Sequence, residues 1–97
     1  MITEIVRFPI PAGMDRETVL EAFESSAERW RREPELRRKH YLYDEAAGIA
    51  GGVYLWTSRA AAEAAHDAAW RAGIAERFGG APSFDYFETP VIVDNEG

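Results

Sequence analysis

The first half of the chain shows two different spacings of its apolar positions. Residues 2–9 are rich in β-branched side chains and end in prolines, which predicts a strand. Over residues 16–32 the apolar side chains recur every three or four positions, which predicts a helix with one buried stripe. Asp15 occupies the expected N-cap position of this helix, and Pro34 follows its end.

The second half repeats this order with one more strand. Residues 36–43 and 52–57 predict two strands joined by a loose hairpin. A fourth strand is expected at residues 82–88, with a short apolar extension at residues 91–93 and a frayed tail at residues 95–97.

A second helix is expected between the third and fourth strands, over residues 59–78. Ser58 is its expected cap, and alanine makes up much of its length. Gly73 is expected to bend or interrupt this helix near its middle, and Gly79 with Gly80 to end it.

The order strand–helix–strand–strand–helix–strand is the split βαβ pattern of ferredoxin-like folds. We therefore expect a single α+β domain over residues 1–97. Its four-stranded antiparallel sheet should carry both helices on one face.

Both faces of this sheet carry apolar or aromatic side chains. Successive residues of a strand alternate between faces, so Val53 and Leu55 oppose Tyr54 and Trp56. Two helices cover only one face of the sheet. A sheet whose other face is exposed to solvent carries apolar side chains on one side only. A second copy of the chain is the expected cover, because two-fold dimers are the commonest oligomers. The alternative is a monomer with an unusually large exposed apolar patch.

Composition narrows the classes of function. The net charge is −6 and the isoelectric point about 4.9, which argues against a general nucleic-acid binder. The chain has no cysteine, which excludes disulfides and thiolate chemistry and fits a reducing compartment. The acidic start lacks the pattern of a signal peptide, and no apolar stretch approaches the ~20 residues of a membrane span. We therefore expect a cytoplasmic protein that has no membrane partner.

No motif indicates a metal or cofactor. The two histidines and scattered carboxylates show no metal-ligand spacing, and neither a Gly-rich phosphate loop nor a G-x-S-x-G elbow occurs. We expect no cofactor.

His66 and Trp70 are the first candidates for a site. They lie four residues apart in the predicted second helix and so share a face. His66 is the candidate catalytic base, able to accept a phenolic proton while Trp70 stacks on the substrate ring. The alternative is an exposed histidine beside a tryptophan that packs on the helix flank.

Four strand aromatics are candidate substrate-binding residues. Tyr41 and Tyr43 share a face of one strand, and Tyr54 and Trp56 share a face of the next. They can line an aromatic cavity, and the alanine-rich helix leaves space for one unless it sits close to the sheet. The alternative is ordinary packing in the core or the dimer interface.

A basic run interrupts this acidic chain. It can recruit an anionic ligand, or it can be a solvated helix end. Its members are Arg29, Arg31, Arg32, Arg37, Arg38, Lys39 and His40.

Two segments, taken with the element order, resemble a known family. They are GGVYLW at residues 51–56, which leads into the alanine-rich helix, and DYFETPVIVD at residues 85–94. Over nearly its whole length the chain resembles the dimeric α+β barrel superfamily. Within it, the chain is most similar to small monooxygenase-like proteins related to the antibiotic-biosynthesis monooxygenases. The glycine pair is the most specific part of this resemblance, because glycine permits close backbone approach or a bulge.

The resemblance implies a homodimer whose sheets face each other and a ligand cavity between sheet and helices in each subunit. Better-known members oxidise polycyclic phenols to quinones with oxygen and without metal, flavin or haem. Others degrade haem, or isomerise or dehalogenate small aromatics and lactones. We therefore expect a cofactor-independent, monooxygenase-like protein acting on a small aromatic or polyketide-like compound, with His66, or less favourably His40, as base. The alternatives are a non-catalytic dimeric binding or stress-response protein and a small lactone isomerase or lyase.

Overall fold

The computed structural model describes residues 1–96, which form four strands and three helices. In chain order these are β1 (Ile2–Pro9), α1 (Arg16–Arg31), β2 (Leu36–Asp44), β3 (Ile49–Trp56), α2 (Arg59–Ala65), α3 (Ala68–Phe78) and β4 (Ser83–Glu88). The predicted strand–helix order is confirmed, and the predicted boundaries of β1 are those observed. The expected tail at residues 95–97 falls partly outside the described residues, and residues 91–93 form no regular element.

The strands form one antiparallel sheet in the order β2-β3-β1-β4. The register places Glu4 of β1 between Tyr54 of β3 and Tyr86 of β4. This arrangement confirms the predicted ferredoxin-like α+β fold.

The helices pack on the sheet face that carries the even-numbered residues of β1, β3 and β4. Trp30 of α1 contacts Tyr54 and Trp56, and Phe78 of α3 contacts Phe8. The opposite face, called the open face below, is covered by no element among residues 1–96. Its apolar side chains are Ile5, Leu42, Ile49, Val53, Leu55 and Phe87. The predicted division of the strand residues between the two faces is confirmed.

The predicted helix over residues 59–78 is wrong as one continuous element. It breaks at His66 and Asp67, and not at Gly73. Asp67 caps α3, since its Oδ1 accepts a hydrogen bond from the backbone N–H of Trp70 at 2.9 Å. An aspartate offers the backbone such a local partner, and this competes with a continuous helix. The His66 carbonyl oxygen freed at the end of α2 accepts a hydrogen bond from Arg71 at 2.8 Å.

The glycine pair lies inside β3 at a close approach to β1. A Cβ on Gly51 would lie 1.8 Å from the carbonyl oxygen of Val6, which no side chain can tolerate without a backbone shift. The expectation that glycine here permits a close backbone approach is confirmed. The ends of the helices are also as predicted, with Asp15 and Ser58 as N-caps and Gly79 at φ 76° as the C-cap of α3.

Candidate functional site

A buried contact between a glutamate and a histidine lies between the sheet and the break in the second helical segment. Glu4 and His66 are both fully buried, and Nδ1 of His66 lies 2.9 Å from Oε1 of Glu4. This contact does not have the geometry of a hydrogen bond. The same Oε1 accepts a hydrogen bond from the indole N–H of Trp56 at 2.9 Å. A buried carboxylate is therefore held in place by two side chains from different elements.

Four polar atoms of this cluster have no hydrogen-bond partner among the described residues. They are Oε2 of Glu4, both ring nitrogens of His66 and the hydroxyl oxygen of Tyr86. Burial, and secondarily the neighbouring Glu4 carboxylate, raise the pKa of Tyr86 to about 12. Buried polar atoms left without partners are costly, so this group departs from the usual satisfaction of buried polar atoms.

Aromatic rings surround the His66 imidazole. The nearest is Trp70, whose ring centroid lies 4.3 Å away, followed by Tyr54 at 4.7 Å and Trp30 at 5.2 Å. Phe84 and Trp56 lie at 5.5 and 6.1 Å. The imidazole therefore sits in aromatic surroundings that exclude water.

Lys39 lies beside this cluster with its ammonium nitrogen among three aromatic faces. The nitrogen is 3.9 Å from the ring centroid of Tyr41 and 4.6 Å from those of Trp30 and Tyr54. Burial lowers the pKa of Lys39 to about 7, with repulsion by Arg29 adding to the shift and Glu4 opposing it.

Two cavities adjoin Lys39. One of about 300 Å³, called the α1–β2 cleft below, is open to solvent and is lined by Ala27, Trp30, Arg31, Leu36, Arg37, Arg38, Lys39 and Tyr41. The other, called the inner cavity, has about 60 Å³ and lies between α1, α3 and the sheet. Tyr54 and Trp70 line the inner cavity, whereas His66 does not. The alanine-rich α2 itself sits close to the sheet, with Ala62 and Ala65 buried.

The structure brings most of the predicted site residues together. Tyr54, Trp56 and Trp70 all contact His66, and Tyr41 approaches the group through Lys39. Tyr41 also shares a hydrogen bond of 2.6 Å between its hydroxyl and that of Ser26.

Tyr43 is the exception among the predicted site residues. Its ring packs against Phe23 and under Arg16 at the far end of β2.

The two histidines lie in different surroundings. The alternative interpretation of His66 as an exposed histidine is wrong, because its side chain is fully buried at the end of α2. His40 is exposed on the open face, beside Arg38 and Asp94, and faces away from the aromatic group. The basic run is likewise divided, because Lys39 turns towards the core and its neighbours in β2 are exposed.

Sequence reasoning missed Glu4 and Tyr86, and it named Lys39 only as a member of the basic run. The signal for Glu4 is its position in β1, where Val6 and Phe8 share its face and predict burial. The same alternation places Lys39 on the face of Tyr41. That these groups meet His66 depends on the strand order and on the helix break.

Two classes of feature are not found in residues 1–96. No three histidine, aspartate or glutamate side chains are close enough together to share a metal ion. In the same described part of the chain, no helix has the length and apolar character needed to cross a membrane.

Comparison with known proteins gives likenesses of structure. No family model matches the chain, and no curated protein matches it. Among solved structures, NE2512 from Nitrosomonas europaea, a protein of unknown function, has a TM-score of 0.78 at 15% identity, over 99% of this chain and 95% of its own. An antibiotic biosynthesis monooxygenase has a TM-score of 0.70 at 16% identity, over 92% and 98%. SnoaB, a cofactor-independent oxygenase from Streptomyces nogalater, has a TM-score of 0.66 at 15% identity, over 95% of each chain. The chain therefore has the ferredoxin-like α+β fold found in antibiotic biosynthesis monooxygenases.

Proposed function

We propose that this protein is a cofactor-independent, monooxygenase-like enzyme acting on a small aromatic or polyketide-like phenol, with His66 as the catalytic base. The observation that carries the proposal is the fully buried Glu4–His66 pair, whose imidazole has a free Nε2 inside an aromatic shell. The similarity in fold to SnoaB, described as a cofactor-independent oxygenase, supports the same class of reaction.

The chemistry assigned to this chain is proton removal and exclusion of water. Nε2 of His66 accepts the proton of the substrate hydroxyl, and the Glu4 carboxylate at 2.9 Å from Nδ1 stabilises the imidazolium that forms. The electron-rich phenolate then reacts with molecular oxygen. One oxygen atom enters the ring and the second leaves as water, so that the substrate is oxidised to a quinone and oxygen is reduced.

Substrate access requires a local movement of the aromatic shell. The inner cavity of about 60 Å³ is smaller than a fused-ring phenol, for which pockets of roughly 300 Å³ or more are usual. Trp70 is half-buried, lines this cavity and packs against the His66 ring. Displacement of the Trp70 indole would join the cavity to Nε2.

The proposal includes a homodimer formed through the open face. Leu42, Ile49 and Phe87 are exposed there, with Phe87 at 55%. Apolar side chains clustered on a sheet face favour contact with a second sheet, and the same face of an identical chain is self-complementary about a two-fold axis. Light scattering should then give about twice the chain mass of 10.9 kDa.

The test of the enzyme is oxygen uptake with hydroxyanthrones and naphthols. His66→Ala should lower the rate by about a hundredfold or more, the usual contribution of a general base. His40→Ala is the matched control and should keep the full rate, since His40 is exposed on the other face of the sheet. Circular dichroism should show both variants folded, and His66→Gln serves if the alanine variant does not fold.

Three outcomes separate the possibilities. No oxygen uptake above buffer with any of these phenols contradicts the proposed reaction. Full turnover in the folded His66 variant contradicts the base assignment. A phenol that raises the melting temperature but is recovered unchanged would instead identify a binding protein.

A further inference from the structure

Lys39 is the only lysine in the chain, and the oxygenase chemistry does not use it. We propose that Lys39 is a covalent carbonyl-binding residue: its amine condenses with the aldehyde or ketone of a small anionic compound bound in the α1–β2 cleft. The proposal is independent of the role of His66, because it concerns a different group and a different cavity.

The first support is access to a buried amine. Lys39 lines both the inner cavity and the α1–β2 cleft, and the cleft is open to solvent. The cleft volume of about 300 Å³ lies at the lower end of the range for small-molecule sites, which is roughly 300–1,000 Å³. A compound with one ring or a short chain fits this space.

The second support is the aromatic cage around the nitrogen. Trp30, Tyr41 and Tyr54 come from three different elements, α1, β2 and β3, and all lie within 4.6 Å of the nitrogen. Aromatic faces attract cations, so they hold the ammonium in acid and the protonated imine once it has formed. The cage therefore offsets part of the cost that burial imposes on the charged imine.

The third support is the state of the amine near neutral pH. Only the neutral amine attacks a carbonyl carbon, and a pKa of about 7 leaves about half of Lys39 neutral at pH 7. This is on the order of a thousandfold more than for an ordinary lysine. The charged groups that act on Lys39 are Arg29 of α1, which lowers its pKa, and Glu4 of β1, which raises it.

The charge of the cleft selects the ligand. Arg31, Arg37 and Arg38 line it, and no carboxylate is among its lining residues in the described part of the chain. Arg31 and Arg38 also contact Glu28 and Asp94 at 3.5 and 2.8 Å, which lie outside the lining set. A carboxylate on the carbonyl compound is therefore favoured over a neutral analogue.

The reaction balances without an oxidant or reductant. The nitrogen lone pair of Lys39 adds to the carbonyl carbon, and the carbonyl oxygen takes a proton to give a carbinolamine. Loss of this oxygen as water leaves a carbon–nitrogen double bond, which is protonated within the cage. Hydrolysis reverses each step, so the bond is reversible.

The experiment is reductive trapping at pH 7. The protein is incubated with 4-carboxybenzaldehyde or with benzaldehyde, cyanoborohydride is added, and the modified residue is located by peptide mass spectrometry. The N-terminal amine is an internal reference in each sample. The Lys39→Arg variant keeps the positive charge and forms no imine, and urea-unfolded protein reports the reactivity of an ordinary lysine.

Besides the adduct on the N-terminal amine, we expect an adduct on Lys39 that forms at least about tenfold faster in the folded protein than in urea, given its larger neutral fraction. The rate should reach half its maximum near pH 7. Changing Arg31 or Arg37 to Gln should lower the rate of trapping of 4-carboxybenzaldehyde by about twofold to fivefold, the usual effect of one exposed charge. The rate of trapping of benzaldehyde should not change.

Several results would overturn the proposal. Labelling confined to the N-terminal amine would show that Lys39 does not react. Equal rates in folded and unfolded protein, or reaction of Lys39 only above about pH 10, would show an ordinary lysine. Equal trapping of the two probes in the wild type and in every variant would show that the cleft does not prefer an anionic compound.

Discussion

The burial of Lys39 makes the stability of the fold depend on pH in a defined direction. Its pKa falls from 10.5 in an unfolded chain to about 7 in the folded protein. A base with a lowered pKa binds fewer protons when folded than when unfolded, throughout the range between these two values. Stability therefore increases as the pH rises through this range, with a slope of at most about 1.4 kcal/mol per pH unit.

The size of the effect follows from the two pKa values. Between pH 7 and pH 9 the free energy of unfolding should rise by about 2 kcal/mol on account of Lys39 alone. The upper limit of pH 9 keeps the tyrosines protonated. Burial raises the pKa of Tyr54 and Tyr86, and these residues favour unfolding once the unfolded chain loses their protons near pH 10.

Urea denaturation of the wild type and of Lys39→Met at pH 7, 8 and 9 measures this contribution. Methionine keeps an unbranched apolar stem and has no titrating group, while the N-terminal amine and both histidines are common to the two proteins. The rise in the free energy of unfolding should be smaller in the variant by about 2 kcal/mol. Equal rises in the two proteins would refute the buried, neutralised amine, and with it the basis for its reactivity at neutral pH.

Further predictions concern the packing and ends of the elements. Gly51→Ala should lower the free energy of unfolding by about 3 kcal/mol or more, because its Cβ would meet the Val6 backbone. Gly73→Ala faces open space in α3 and should raise the free energy of unfolding by about 0.5–1 kcal/mol. Both values are measured by urea denaturation. Asp67→Ala should cost about 1 kcal/mol through loss of the α3 cap, and Asp67→Asn should restore it; an equal loss in both would contradict the capping role. Phe87→Glu on the open face should halve the mass measured by light scattering, and an unchanged dimer would exclude that face as the interface.

The order of elements and the faces of the strands follow from the sequence alone. Strands alternate with period two and helices with a period near 3.6, so the pattern of apolar positions shows the two-sided character of β3. The caps at Asp15 and Ser58 and the close approach at Gly51 were predictable because each is a local preference of one residue type. The break at Asp67 also has a local signal, although Gly73 is the more obvious one.

The composition of the site was decided by the tertiary structure. Glu4 and His66 are 62 positions apart, and only the placement of β1 beside β3 and β4, with α2 ending above them, brings their side chains together. The candidate base His66 and the aromatics Tyr54, Trp56 and Trp70 were identifiable by residue type, but the buried carboxylate beside them was not. Lys39 belongs to a basic run in the sequence, yet strand alternation turns it alone among its neighbours towards three rings. Local pattern determines which way each side chain points from its own strand or helix, whereas burial and charge depend on which elements lie opposite.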